Sequence, residues 1–161
     1  MPDTLQPGQL LARGTCRHLL SHNFVCIEEF TPKRGLRVDV MALGPKGEIW
    51  VVECKSSRSD FQTDKKWQGY LEWCDRYFWA VDADFPSELF PLETGLIVAD
   101  NYGAEIIRMG AETKLAAARR KMLTTKFARQ AAQRLQGFRD PGVAALNVNT
   151  VIFESRAGND G

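Results

Sequence analysis

Glu53 and Lys55 stand two residues apart in an otherwise apolar run, EIWVVECK. Asp39 stands in a second such run, LRVDVMAL, and the turn-forming GPKG separates the two. Side chains alternate along an extended strand. Val51, Glu53 and Lys55 therefore share one face, and Trp50, Val52 and Cys54 the other. A short turn between paired strands sets Asp39 across from Glu53. Two carboxylates about 4 Å apart repel by around 4 kcal/mol at an effective dielectric near 20, a cost that a cation between them removes. Oxygen ligands with positions left for water suit Mg2+ or Mn2+. A metal so held polarises a phosphate and activates water, and the lysine adds a positive donor beside the charge that develops. Acid, acid and lysine are thus the minimal set for phosphodiester hydrolysis. An E-x-K string alone arises often by chance, and a Glu and Lys at a strand end can simply pair in solvent. The hairpin, the upstream Asp39, the apolar strand and the helix that follows single this one out.

The elements that must position these residues are readable in outline. Residues 8–22 carry a rough apolar stripe (Leu11, Cys16, Leu19, Leu20) and are expected to be helical. Strands are expected over 24–30, 36–43 and 48–55, with a turn at TPKRG, residues 31–35. A helix over 60–75, capped by Ser59, would bury Trp67, Tyr70, Leu71 and Cys74 at helical spacing. Strands over 77–84, 95–100 and 104–109 follow, then one long basic helix over 111–137, a short strand at 148–153 and a disordered tail over 154–161. A hairpin followed by a crossover helix and another strand predicts an α/β fold, a mixed sheet flanked by helices. The 161 residues suit a single domain, with its core over about 8–140.

Composition excludes several classes. No apolar run approaches the roughly 18 residues that span a bilayer, so no membrane partner is expected. The opening MPDTLQPGQLLARG has an early acid and no cationic segment before an apolar stretch. No secretion signal is expected there, and the cytoplasm is the expected compartment. Cys16, Cys26, Cys54 and Cys74 form no CxxC and are expected to be reduced structural thiols. The net charge of +1 hides an asymmetry: residues 108–139 carry +8 and the remainder −7. That asymmetry points to an anionic partner for the C-terminal third.

The stretch RVDVMALGPKGEIWVVECKSSRSDF resembles the core of PD-(D/E)XK nucleases. More specifically, GLRVDVMAL, GEIWVVECKSSRSDF, DKKWQGYLEWCDRYFWAV and GLIVAD resemble the MmcB-type bacterial DNA-repair family, over roughly residues 8–140. That resemblance implies a restriction-endonuclease-like αβββαβ core and a role in DNA repair, with DNA and other repair proteins as partners. It implies that Asp39 and Glu53 hold the metal with the Cys54 backbone carbonyl, and that Lys55 assists hydrolysis. Many relatives add a glutamate from the first helix. Residues 8–22 contain no acid, so Glu28 or Glu29 is the expected substitute, and only one of them can face the site.

Asp60 and Lys66 are accessory candidates on the next helix, with Asp60 equally suited to a helix's first turn. Trp67 and Tyr70 could stack on bases, although their spacing says core. Arg13 and Arg17, four apart, and Arg119, Arg120, Lys121, Lys126, Arg129 and Arg134 on the basic helix are candidates for DNA phosphate contact. The same charges also suit a solvated face. His18 and His22 have a metal-binding spacing but no third ligand beside them. The expected activity is metal-dependent DNA hydrolysis. Its rival is an inactive DNA-binding or protein-interaction module of a repair assembly.

Overall fold

The computed structural model describes residues 4–143. The strand expected at 148–153 and the tail at 154–161 lie outside the described residues. By its internal contacts the chain forms two compact units, Met1–Thr124 and Thr125–Gly161. The helix Ala117–Arg139 runs through the division. Its backbone bonds lie within the helix itself, so its distal half gathers as a separate unit.

In the first unit, α1 (Pro7–Ser21) precedes β1 (Val25–Lys33), β2 (Leu36–Leu43) and β3 (Ile49–Cys54). Then come α2 (Arg58–Thr63), a 3-10 segment (Trp67–Trp73), β4 (Arg76–Val81), β5 (Gly95–Ala99), β6 (Ala104–Arg108) and the start of α3 (Ala117–Arg139). The six strands form one mixed sheet in sequential order. The β1–β2, β2–β3 and β5–β6 pairs are antiparallel, and β3–β4 and β4–β5 are parallel. The parallel joints fall where the chain has an intervening segment long enough to cross over, as parallel pairing requires.

Alternation divides the sheet into two chemically different faces. Val40, Ala42, Trp50, Val52, Phe78, Ala80 and Ile97 pack with Leu11, Ala12 and Leu19 of α1. Gly14 lets α1 settle there: a Cβ at that position would lie 1.9 Å from the Asp100 carbonyl oxygen. The alternate residues of β4, Tyr77 and Trp79, meet Trp67, with ring centroids 5.8 and 5.4 Å apart. Phe61 stands edge-on to Trp79 at 5.3 Å, and Phe90 stacks on Trp79 at 5.2 Å. One face is therefore an aliphatic core under a helix. The other is an aromatic floor under α2 and the 3-10 segment.

The continuous helix expected over 60–75 is broken. Ser57, rather than Ser59, caps α2, its Oγ accepting the Asp60 N–H at 3.2 Å. After Thr63 the chain turns at Asp64 and continues as the 3-10 segment. The long helix starts at Ala117, six residues later than expected. The amides before it are used elsewhere: Ala111 N–H donates to Glu93 O and Thr113 N–H to Asp75 O. β1 also runs on through Thr31 and Pro32 to Lys33, so the turn is confined to Arg34 and Gly35. As an edge strand, β1 tolerates the proline's missing N–H.

Candidate active site

Val40 pairs with Val52 across β2 and β3, and one step further along the same register Asp39 faces Glu53. The backbone N–H of Asp39 donates to Glu53 Oε1 at 3.0 Å, and the Cys54 N–H donates to Asp39 Oδ2 at 2.8 Å. The two bonds set the carboxyl groups side by side. Glu53 is 5% exposed and lies beside Trp79 in the β3–β4 register. Burial, and then the Asp39 charge, push its carboxyl up to about 9, against the smaller pull of the Asp39 N–H and of Lys55. Glu53 thus carries a proton at neutral pH where a cation could sit instead.

Lys55 follows β3, its N–H donating to Ala80 O at 2.9 Å. Its ammonium lies 6.0 Å from the centre of the Trp79 ring, on the acid pair's side of the sheet. It forms an ion pair with Asp64, Nζ to Oδ2, at 2.8 Å. Burial alone would raise the Asp64 carboxyl; the bond from Lys55 and the N–H groups of Lys66 and Trp67 outweigh it and hold the carboxyl below its ordinary range. Sequence reasoning passed over Asp64, because on a continuous helix it would be one surface acid among several. Tyr77 was also missed. It is 3% exposed, and its hydroxyl has no hydrogen-bond partner among the described residues. Burial, then the charges of Glu53 and Asp64, raise its phenol well above the ordinary value. Tyr70 lies parallel to Tyr77 and is pushed up to about 12, by burial and then by Glu53.

The other candidates fall in different places. Glu28 pairs with Val40, so it shares the α1 face, away from the acid pair. Glu29 lies between the Glu28–Val40 and Phe30–Val38 pairs, across from Asp39, with a left-handed backbone at φ 51°. Asp60 accepts from Ser56 Oγ at 2.9 Å. Lys66 is exposed beside the Asp64 turn. Trp67 and Tyr70 rest on the aromatic floor half-buried, while Leu71 is exposed, contrary to the α-helical stripe expected. Arg13 and Arg17 are exposed on α1, over the opposite face of the sheet. His18 and His22 touch edge to face at 4.7 Å. All four cysteines are free thiols. Among the described residues no three or more His, Cys, Asp or Glu gather as a metal cage.

Arg120, a candidate for phosphate contact, is engaged within the chain. Its guanidinium grips Asp75 through two bonds of 2.6 Å and reaches Gly47 O at 2.9 Å. Asp75 also accepts the Ile49 and Leu115 N–H groups, each at 2.8 Å. Arg119 lies 4.2 Å over the Trp73 ring and donates to Glu72 O at 3.0 Å. Lys121 is exposed. Lys126, Arg129 and Arg134 lie on the part of α3 within the second unit.

The geometry defines an α/β protein with a carboxylate pair and a lysine on the aromatic face of a mixed sheet. The chain belongs to the MmcB-like family of DNA repair proteins, whose profile matches residues 3–142. Among solved structures it is similar to the SPO1766 protein of unknown function from Silicibacter pomeroyi. The two are 72% identical with a TM-score of 0.84, over 86% of this chain and 94% of that one. Comparison with curated proteins finds no match. No helix among the described residues is long and apolar enough to cross a membrane.

Proposed function

We propose that this chain is a DNA-repair nuclease of the PD-(D/E)XK type, with a restriction-endonuclease-like core, that hydrolyses DNA phosphodiester bonds using Mg2+ or Mn2+. The observation that carries the reading is the Asp39–Glu53 pair, two carboxyl groups set side by side across β2 and β3 with Glu53 buried. Each spends one oxygen on a backbone N–H, which fixes its direction. Two oriented carboxylates suit a hard divalent ion whose remaining positions go to water and phosphate. When bound, the ion would supply Lewis acidity and a more acidic water. Asp39 and Glu53 would hold it, with the Cys54 carbonyl as an added oxygen. Lys55 would place its charge against the phosphate, and the aromatic floor would keep bulk water from the buried side of the pair.

The rival is a DNA-binding or protein-interaction module without turnover, and the absence of a third acidic ligand in a cage among the described residues favours it. Incubating plasmid, flap and junction DNA with the full chain and Mn2+ separates the two. Cleavage that Asp39→Ala and Glu53→Ala both abolish supports the nuclease. Binding without cleavage on every substrate favours the module.

A further inference from the structure

We infer that Asp64 is a positioning residue of this site, aiming the Lys55 ammonium from the turn that opens the 3-10 segment. The inference rests on the nuclease reading for its effect on turnover and on geometry for the positioning itself. Asp64 Oδ2 contacts Lys55 Nζ at 2.8 Å. Its Oδ1 accepts the N–H groups of Lys66 at 2.9 Å and Trp67 at 3.1 Å. One oxygen therefore holds the lysine while the other is held by the backbone. The two side chains are 13% and 10% exposed, so solvent and salt screen the pair little. The Trp79 ring bounds the ammonium from the sheet side. A lysine stem is flexible, and an untethered ammonium prefers full hydration. Two fixed contacts remove that freedom.

Aim matters because a charged donor accelerates reaction only if it is in place before the charge develops. Asp64 lies nine residues beyond Lys55 in the chain, and the break between α2 and the 3-10 segment brings it back to the strand end. Two other roles for Asp64 give different outcomes. If it only shaped the turn, Asp64→Asn would keep an acceptor for the two N–H groups and change nothing at Lys55. If it competed with phosphate for the lysine, its loss would raise turnover.

The test uses the full chain with 15N-labelled lysine. The Lys55 Nζ signal is assigned by its disappearance in Lys55→Met, and its mobility is read by NMR relaxation. In wild type that ammonium should be rigid. In Asp64→Asn it should become mobile while the backbone amide spectrum stays folded, and Asp64→Glu should restore part of the rigidity. On flap or plasmid DNA with Mn2+, kcat should fall about 10–100-fold in Asp64→Asn with KM within about twofold, and Asp64→Glu should recover part of kcat. If Asp64→Asn does not fold, Asp64→Glu carries the test, since its shifted carboxylate must move mobility and kcat together. An ammonium equally mobile with and without Asp64 overturns the inference, as does a kcat equal to or above wild type. If wild type cuts no substrate while Asp64 still rigidifies Lys55, the nuclease reading fails and the positioning stands.

Discussion

The backbone N–H of Asp39 donates to Glu53 Oε1 at 3.0 Å, so a main-chain donor fixes the Glu53 carboxyl beside Asp39. The Asp39 carboxyl is held in turn by the Cys54 N–H at 2.8 Å, so neither acid can swing away without breaking a bond to the backbone. The repulsion that follows ionisation therefore stays in the folded state, where it has consequences that can be measured.

The first concerns pH. The Glu53 carboxyl is raised to about 9 in the fold. The folded state then binds a proton that the unfolded chain has released. That contribution to stability is complete below the ordinary glutamate value and is lost as pH rises through about 9. Without divalent metal, wild type should lose stability from about pH 5 to pH 9 relative to Glu53→Gln, which keeps the Oε1 acceptor and cannot ionise. Urea titrations of both proteins in EDTA check this. Parallel curves for the two proteins across that range would remove the raised carboxyl.

The second concerns metal. Ligand that binds only the folded state adds about 2.7 kcal/mol at a concentration one hundred times its Kd. Mn2+ should therefore raise the melting temperature of wild type at pH 7.5 and leave Asp39→Ala and Glu53→Ala unchanged. Equal gains in all three would place the ion elsewhere.

The third concerns Lys55. Lys55→Met keeps much of the side-chain length and removes the charge and donors. Cleavage should fall by about 10²–10³, with metal and DNA binding largely kept. Equal cutting by the two proteins would mean that the activity comes from another site.

The fourth separates two neighbours on α3. Arg120 grips a 6%-exposed carboxylate, so Arg120→Gln leaves Asp75 uncompensated and should cost about 2–4 kcal/mol in stability. Lys121 is exposed. Lys121→Gln should change stability by less than about 0.5 kcal/mol while lowering the salt slope of DNA affinity by about 0.9. Denaturation and salt-titrated binding, run on both variants, read the contrast.

The fifth concerns the unpartnered Tyr77 hydroxyl. Removing a buried polar group that lacks a partner relieves its desolvation cost, so Tyr77→Phe should leave stability unchanged or raise it by about 1 kcal/mol. A loss above that size would show that the hydroxyl has a partner in solution.

The acid pair was legible because β2 begins in alternation, β3 is an apolar run broken by Glu53, and a short turn with Gly47 at φ 87° joins them. Hairpin register then leaves one place for Asp39. The break after α2 was not legible. Trp67, Tyr70, Leu71 and Cys74 fit an α-helical stripe, yet Trp67, Tyr70 and Trp73 recur every three residues, the period of the 3-10 segment that forms. The exposed Leu71 marks the difference. The late start of α3 has a tertiary cause: Asp75 and Glu93 accept amides that helix propensity alone would assign to the helix. The Arg120–Asp75 pair was not legible, because nothing local to Arg120 announces Asp75, 45 residues earlier. Asp64 was hidden for the same reason, its partner lying beyond a turn that the helical pattern concealed.

β3 has a hydrogen-bonded neighbour on each side, β2 antiparallel and β4 parallel. The β2 ladder ends one pair short of Glu53, at Val40–Val52, and the bonds of Asp39 with Glu53 and Cys54 take its place, while β4 holds the other edge in register at Trp79. A flexible loop would relax and dissipate the strain; a strand in mid-sheet behaves as a stiff backplate. The geometry of the pair is consequently set when the sheet assembles, before any charge develops on it.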